Sequence, residues 1–218
     1  MSGNLAGVTA TKDWQSWHQP YADEDSALSR RLRLVQRHVA LWLDERRGEA
    51  LTVVSACAGQ SHDLLGVLAA RPDAERVRCT LLEFDERNVA IARSAVAAAA
   101  LSSITVVQAD AGALSSYVGS VPADLVLMAG VFGNISDGDV QRTIEALPQL
   151  CAPGATVIWT RSRRAPDLTP AVRRWLEAAG LVEQAFYAPR DVLFAVGVHR
   201  FTGASRPLAP HGELFRFV

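Results

Sequence analysis

Thr80-Leu81-Leu82-Glu83-Phe84-Asp85-Glu86-Arg87-Asn88-Val89-Ala90-Ile91-Ala92-Arg93 is the stretch on which the reading of this chain turns. An apolar run closes on an acid, Glu83, and passes at once into helix-forming residues, as a buried strand followed by a helix does. Upstream, Leu51-Thr52-Val53-Val54-Ser55-Ala56 leads into Cys57-Ala58-Gly59-Gln60-Ser61-His62-Asp63-Leu64-Leu65, again strand, small-residue turn and helix. A turn of small residues lets backbone approach a ligand closely. A carboxylate ending the neighbouring strand can accept both hydroxyls of a ribose. Together they are how a parallel α/β sheet holds an adenosine.

The same alternation extends in both directions. Strands are expected over 51–56, 78–83, 104–108, 124–129 and 155–161. Helices are expected over 62–71, stopped by Pro72, over 86–100, in a short piece after Asp110, and over 137–147 and 169–179. Ser136 or Asp137 caps the fourth helix. Thr169 caps the fifth, with Pro170 at its first position and Gly180 just past its end. Strands and helices alternating at this spacing imply parallel strands joined by right-handed crossovers. The rhythm then breaks. Val182–Tyr187 and Val192–Phe201 are strand-like, the turn Ala188-Pro189-Arg190-Asp191 leaves no room for a helix, and an antiparallel hairpin follows. Gly212 to Val218 is a candidate edge segment. Ahead of the first strand, Asp23 to Ser26 carry helix-start chemistry. Leu28, Leu32, Val35, Val39 and Leu43 then form one apolar stripe that Gly48 ends.

The chain has 218 residues, of which 49% are hydrophobic, enough for one well-filled domain. A net charge of −1 gives no broad attraction to nucleic acid or anionic membrane. Cys57, Cys79 and Cys151 sit in apolar contexts without metal-ligand spacing, so no metal is expected and they read as reduced thiols of a cytoplasmic protein. Met1 to Lys12 lacks the apolar core of a signal peptide, and no apolar stretch reaches the roughly 18 residues of a membrane helix.

Taken in order, these pieces resemble a class I S-adenosylmethionine-dependent methyltransferase over roughly residues 50–201. Ala56-Cys57-Ala58-Gly59-Gln60-Ser61 stands where that family has its glycine-rich loop, and Glu83 where it has the ribose-binding acid. Val106-Val107-Gln108-Ala109-Asp110-Ala111 resembles the third-strand motif, whose Asp meets the adenine amino group. Pro122-Ala123-Asp124-Leu125-Val126-Leu127 and Leu150-Cys151-Ala152-Pro153-Gly154-Ala155-Thr156 resemble the fourth strand and the turn entering the fifth. Cys57-Ala58-Gly59, Gly130-Val131-Phe132-Gly133-Asn134 and Trp159-Thr160-Arg161 look like a group of small actinobacterial members. The resemblance implies an α/β fold: a Rossmann-like three-layer sandwich with a mostly parallel seven-stranded sheet and a C-terminal antiparallel hairpin. Residues 1–48 then form a lid segment and helix, and 49–218 the cofactor-binding core of a single structural domain.

It also implies S-adenosyl-L-methionine as cofactor, held by Ala58, Gly59 and Ser61 of the turn, Glu83 and Phe84 after the second strand, Asp110 and Ala111 after the third, and Gly130 after the fourth. Two positions depart from the family pattern. The acid often found near the end of strand one is Ser55, and the third glycine of the loop is Ser61 beside His62. A Ser there can still offer its N–H to the methionine carboxylate.

Each candidate also has a plain structural reading. Glu83 could serve only as an early acid of the next helix, Asp110 as an N-cap and Gly59 as a tight turn. Asn134 lies beyond strand four, where open α/β sheets place their ligands; it is a candidate for catalysis or a helix-start residue. Phe132 is a pocket wall or core. Arg161, with Arg163 and Arg164, suits a substrate carboxylate or phosphate, or pairs with Asp167 in a solvated loop. In Trp14-Gln15-Ser16-Trp17-His18-Gln19-Pro20-Tyr21, Trp14 and Trp17 are candidate substrate contacts in a lid, and His18 and Tyr21 candidate bases.

The expected function is in-line transfer of a methyl group to O or N of a small molecule, by a monomer or homodimer. Nucleic acid and membrane are not expected partners: Ala129-Gly130-Val131-Phe132 replaces the Asn/Asp-Pro-Pro-aromatic tetrad of nucleic-acid enzymes. Two alternatives stand beside it. One is a repurposed fold that binds S-adenosylmethionine or another ligand without methyl transfer. The other is an NAD(P)-dependent oxidoreductase, against which the turn lacks Gly-x-Gly-x-x-Gly.

Overall fold

Strands that read as unbroken apolar runs must be covered on both faces, and this chain supplies the helices to do so. The computed structural model describes residue 21 and residues 23–217. Its elements are α1 (Ala27–Glu45), β1 (Leu51–Ala56), α2 (His62–Leu68), β2 (Val77–Glu83), α3 (Glu86–Ala98), β3 (Ile104–Gln108), β4 (Ala123–Met128), α4 (Asp137–Ala146), β5 (Cys151–Ser162), α5 (Thr169–Ala178), β6 (Leu181–Tyr187) and β7 (Phe194–Phe201). They build one seven-stranded sheet in the order β3-β2-β1-β4-β5-β7-β6. The strands from β3 to β5 pair in parallel, and β7 runs antiparallel to both of its neighbours, β5 and β6. This is the expected mixed sheet, with the returning strand of the hairpin inserted inside the edge.

Successive residues of a strand face opposite sides, and the two cores follow from that. Val53, Leu81, Leu125 and Ile158 pack beneath α1, α2 and α3, against Val35, Val39, Leu64, Leu68 and Val89. Their sequence neighbours Val54, Leu82, Val126 and Val157 face the other way, onto Val140 and Ile144 of α4 and Val172 and Leu176 of α5. Each fully buried side chain of this size contributes about 1.5–3 kcal/mol. Gly197 of β7 is required by this packing: a Cβ there would lie 2.3 Å from the Trp159 indole.

Helix starts follow their caps. Ser26 Oγ accepts from the Ser29 N–H at 3.0 Å, and Ser136 Oγ from the Asp139 N–H at 3.1 Å. Three local expectations are corrected. Thr169 is the first helical residue of α5 rather than its cap. Asp167 takes over that work, accepting from the Thr169 N–H at 2.9 Å and its hydroxyl at 2.8 Å. After Asp110 the chain makes only a 3₁₀ turn, Leu114–Tyr117. The segment 212–217 does not extend the sheet: it makes single bridges, Ala113 with Glu213 and Ile135 with Phe217, across the loops after β3 and β4.

β1 has β2 on one side and β4 on the other, so the chain leaves it in two directions. A crevice opens at the carboxyl ends of strands where such a reversal occurs.

Candidate functional site

The crevice is lined by the loop after β1, and that loop is locked by backbone geometry. Cys57, Gly59 and Ser61 all have positive φ, 52°, 57° and 56°. Only glycine adopts this region without cost, so Cys57 and Ser61 are strained for the sake of the turn. Hydrogen bonds hold it: the Ala58 N–H donates to the Leu82 carbonyl at 2.8 Å, and the Ser61 N–H to the Ala58 carbonyl at 2.8 Å. Ser61 thus has its N–H engaged inside the turn. Its buried Oγ is the group without a hydrogen-bond partner among the described residues.

Glu83, at the end of β2, closes the turn from the far side. Its Oε2 accepts from the Gly59 N–H at 2.7 Å and its Oε1 from the Asp85 N–H at 2.8 Å. The residue is 7% exposed. Two charge-assisted bonds to backbone fix the carboxylate at the junction of the β1 and β2 loops and leave each oxygen a further lone pair. Its own carbonyl accepts from the Ala109 N–H at 2.9 Å, which ties in the loop after β3. There Asp110 Oδ1 accepts from the Gly112 N–H at 2.8 Å, and the buried Tyr117 hydroxyl donates to the Ala111 carbonyl at 2.8 Å.

These loops enclose a cavity of about 240 Å³ lined by Ala58, Gly59, Ser61, Glu83, Phe84, Asp110, Ala111 and Gly130, all eight residues expected to hold a cofactor. Phe84, 72% exposed, presents its ring at the mouth. Asn88, on α3, also lines the cavity; its Nδ2 is buried without a partner among the described residues. Tyr21 reaches the cavity from the start of the described chain, with its ring 5.3 Å from that of His62 and its hydroxyl accepting from Arg31 Nη2 at 3.3 Å. Burial raises the Tyr21 phenol above its ordinary value, against the pull of Arg31, which disfavours the phenolate form. Asp63 lines the same cavity, and burial lifts its carboxyl to about 6. Burial, with Glu83 and Asp110 nearby, pushes the Cys57 thiol well up, which disfavours the thiolate a covalent nucleophile needs.

A second, wider cleft of about 960 Å³ adjoins the first, and Arg31 and Gly130 line both. Asn134 and Arg161 lie here, not in the first cavity. Asn134 Nδ2 donates to the Gly130 carbonyl at 2.6 Å. Arg161 donates to the Phe132 carbonyl and pairs with Asp137 at 3.0 Å, not with Asp167. Arg163 is held by the Phe194 and Val192 carbonyls at 3.1 and 3.0 Å, and Arg164 lines the cleft. Of its two readings, pocket wall or core, Phe132 takes the second, so it is no substrate contact: it is fully buried against Trp159 and lines neither cavity. Trp14, Trp17 and His18 lie outside the described residues. Asp63, Arg31 and Phe217 were not singled out from sequence as site residues. Only Asp63 had a signal there, as the acid in the first turn of α2.

Among the described residues, no cluster of three or more His, Cys, Asp or Glu is placed to hold a metal ion. Among known structures, the chain superimposes on magnesium protoporphyrin IX methyltransferase from Synechocystis PCC 6803 with bound SAM, at a TM-score of 0.64 and 15% identity, over 89% of this chain and 100% of that one. The fold is that of the class I S-adenosylmethionine-dependent methyltransferases. A 1,6-didemethyltoxoflavin N1-methyltransferase from Burkholderia thailandensis, with 1,6-didemethyltoxoflavin and S-adenosylhomocysteine bound, matches at a TM-score of 0.62 and 15% identity, over 87% of this chain and 84% of that one. An O-methyltransferase family protein from the same organism matches at 0.66 and 15% identity, over 87% of this chain but only 60% of that one. No family model and no curated protein sequence matches the chain.

Proposed function

We propose that this protein transfers a methyl group from S-adenosylmethionine to an oxygen or nitrogen of a small molecule. The observation that carries the reading is the Glu83 carboxylate held between the Gly59 and Asp85 N–H groups at the switch point of the sheet, with oxygens still open to a ribose diol. The residues present fit an adenosine-bearing sulfonium. Asp110 and Ala111 line the cavity and are the residues we assign to the purine, and Ser61 Oγ and Asn88 Nδ2, without partners among the described residues, are polar groups that a bound ligand can satisfy. When bound, the cofactor supplies an electrophilic methyl on a cationic sulfur.

The protein's part is placement. Gly130 lines both cavities, so the opening beside it is where donor and acceptor meet, and Asn134 fixes its carbonyl. Proximity and alignment of this kind can lower a barrier by roughly 7–11 kcal/mol. With Arg31, Arg161 and Arg164 lining the wider cleft, the acceptor we propose carries a carboxylate or phosphate. Asp63, at about 6, is the group in the donor cavity best tuned to take a proton near neutral pH. Three free cysteines and no described helix long and apolar enough to cross a membrane suit a cytoplasmic enzyme.

The test is calorimetric titration with S-adenosylhomocysteine and NAD, then a screen of carboxylated phenols and amines with radiolabelled donor. Binding of S-adenosylhomocysteine and label in an acceptor are expected. Stabilisation by NAD alone refutes the reading. One observation favours a second reading, a repurposed fold that binds without transferring: the Ser61 N–H, which would otherwise meet the methionine carboxylate, is spent inside its own turn. Tight cofactor binding with no labelled product across the screen supports it.

A further inference from the structure

The segment 212–217 is anchored like part of the core, yet it ends at the cofactor cavity. Its backbone clips onto the loop after β3: the Leu114 N–H donates to the Gly212 carbonyl at 2.9 Å and the Leu214 N–H to the Gly112 carbonyl at 2.7 Å. From α4, the Thr143 hydroxyl donates to the Leu214 carbonyl at 3.1 Å, and Asp139 Oδ2 accepts from the Arg216 N–H at 3.3 Å. Leu214 and Phe215 are fully buried. The fit is so close that a Cβ on Gly112 would lie 2.2 Å from the Phe215 carbonyl oxygen.

Full burial stops at Phe215. Arg216 and Phe217 emerge on the cavity wall, on the same cavity as Asp110, Ala111 and Phe84. Phe217 is set by its bridge to Ile135 and by an edge-on contact with the Phe215 ring, 5.6 Å between centroids, and it keeps 39% of its surface exposed. An aromatic ring held rigidly but left half open beside a cavity is built to stack on a flat ligand.

We propose that Phe217 forms an outer wall of the purine subsite, so that the docked segment 212–217 is part of the cofactor site. This rests on the reading of the cavity as an adenosine pocket. Gly112 links the parts: its N–H is bound by Asp110 and its carbonyl by Leu214, so the acid at the adenine end and the segment that carries Phe217 share one backbone residue.

The experiment is calorimetric titration of the full chain with S-adenosylhomocysteine. Phe217→Ala is expected to bind roughly 5- to 100-fold more weakly, the range of a lost base–aromatic stack. Phe217→Tyr, which keeps the stacking face, restores affinity to within about threefold of wild type. Gly112→Ala, which unseats the segment without touching the ring, weakens binding in the same direction. The unfolding midpoint of the ligand-free Phe217→Ala protein stays close to wild type, because the ring is not a core residue. Wild-type affinity in Phe217→Ala, or no rescue by Phe217→Tyr, overturns the assignment and leaves the cofactor reading standing. A wild-type chain that does not bind S-adenosylhomocysteine overturns both.

Discussion

Glu83→Ala tests the centre of the site in two ways at once. The carboxylate accepts from two backbone N–H groups, of Gly59 at 2.7 Å and Asp85 at 2.8 Å, and is 7% exposed. A hydrogen bond to a charged group is worth about 1.5–3 kcal/mol, and two are lost. Water admitted by the adjoining cavity replaces part of this, which leaves an expected destabilisation of about 2–4 kcal/mol. For a domain of this size that lowers the melting temperature by about 4–16 °C. Loss of the ribose acceptor is expected to weaken S-adenosylhomocysteine at least about tenfold, or 1.4 kcal/mol. Glu83→Gln separates the two effects. Its amide oxygen can still serve one N–H, so stability recovers in part, whereas the charge that favours the ribose hydroxyls stays lost. The measurements are denaturant unfolding of the ligand-free protein and calorimetric titration. A Glu83→Ala protein as stable as wild type refutes the structural half, and unchanged affinity means that the adenosine site lies elsewhere.

Three further outcomes are expected. His199 is buried, accepts from Trp159 Nε1 at 3.2 Å and has its pKa pressed down to about 4 by burial. The unfolded chain, titrating near 6.5, binds the proton first, so stability is full above that pH and declines as pH falls towards 4. The loss reaches roughly 3 kcal/mol, and the decline should flatten in His199→Gln when unfolding is followed between pH 7 and 5. Gly197→Ala forces a methyl into the Trp159 indole at 2.3 Å and should cost about 1–3 kcal/mol in urea unfolding, with an unchanged midpoint counting against the packing described. Asn134→Ala frees the Gly130 carbonyl that Nδ2 holds at 2.6 Å, and should cut turnover about tenfold while S-adenosylhomocysteine binds as before; a matched loss of affinity would place Asn134 in the cofactor site instead.

The parts of this molecule that were legible in its sequence are those governed by short-range rules. Buried parallel strands must be apolar throughout, so β1 and β3 can be bounded to the residue, Leu51–Ala56 and Ile104–Gln108. Glu83 and Gly59 could be placed together because one ends β2 and the other lies in the turn just past β1, and parallel neighbours bring such ends to one edge. What failed depended on direction or on distant chain. Phe132 lies within the turn after β4, yet its ring is fully buried against Trp159, a contact made across the sheet. The cap of α5 was misread by two residues because Asp167 reaches forward over Leu168. Asp63 owes its raised pKa to burial in a cavity that residues distant in sequence, such as Tyr21 and Asp110, also line, and no local pattern carries such an enclosure. Phe217 reaches the cavity through anchors on the β3 loop and α4, which sequence spacing does not encode.

The two cavities differ in sign, and this bears on the choice between cofactors. Asp63, Glu83, Asp85 and Asp110 line the first, against Arg31 and Arg216. Arg216 is itself neutralised by Glu213 at 2.8 Å and Asp85 by Arg87 at 2.6 Å, so carboxylates still predominate. A dinucleotide would have to lay its anionic pyrophosphate against them, over a turn with one glycine and before α2, a helix of 7 residues, where little dipole is available to compensate. A sulfonium gains from the same field, and gains more than the neutral thioether left after transfer. The wider cleft has the opposite balance, with Arg31, Arg161 and Arg164 against Asp137. On the proposed reading, an anionic acceptor is drawn to the basic side and a cationic donor to the acidic side, with their reacting atoms meeting beside Gly130. Charge cancels as the bond forms, and the neutral thioether is held less tightly than the donor it came from. On the same reading, the strained turn at Cys57, Gly59 and Ser61 brings the acidic side up to the donor.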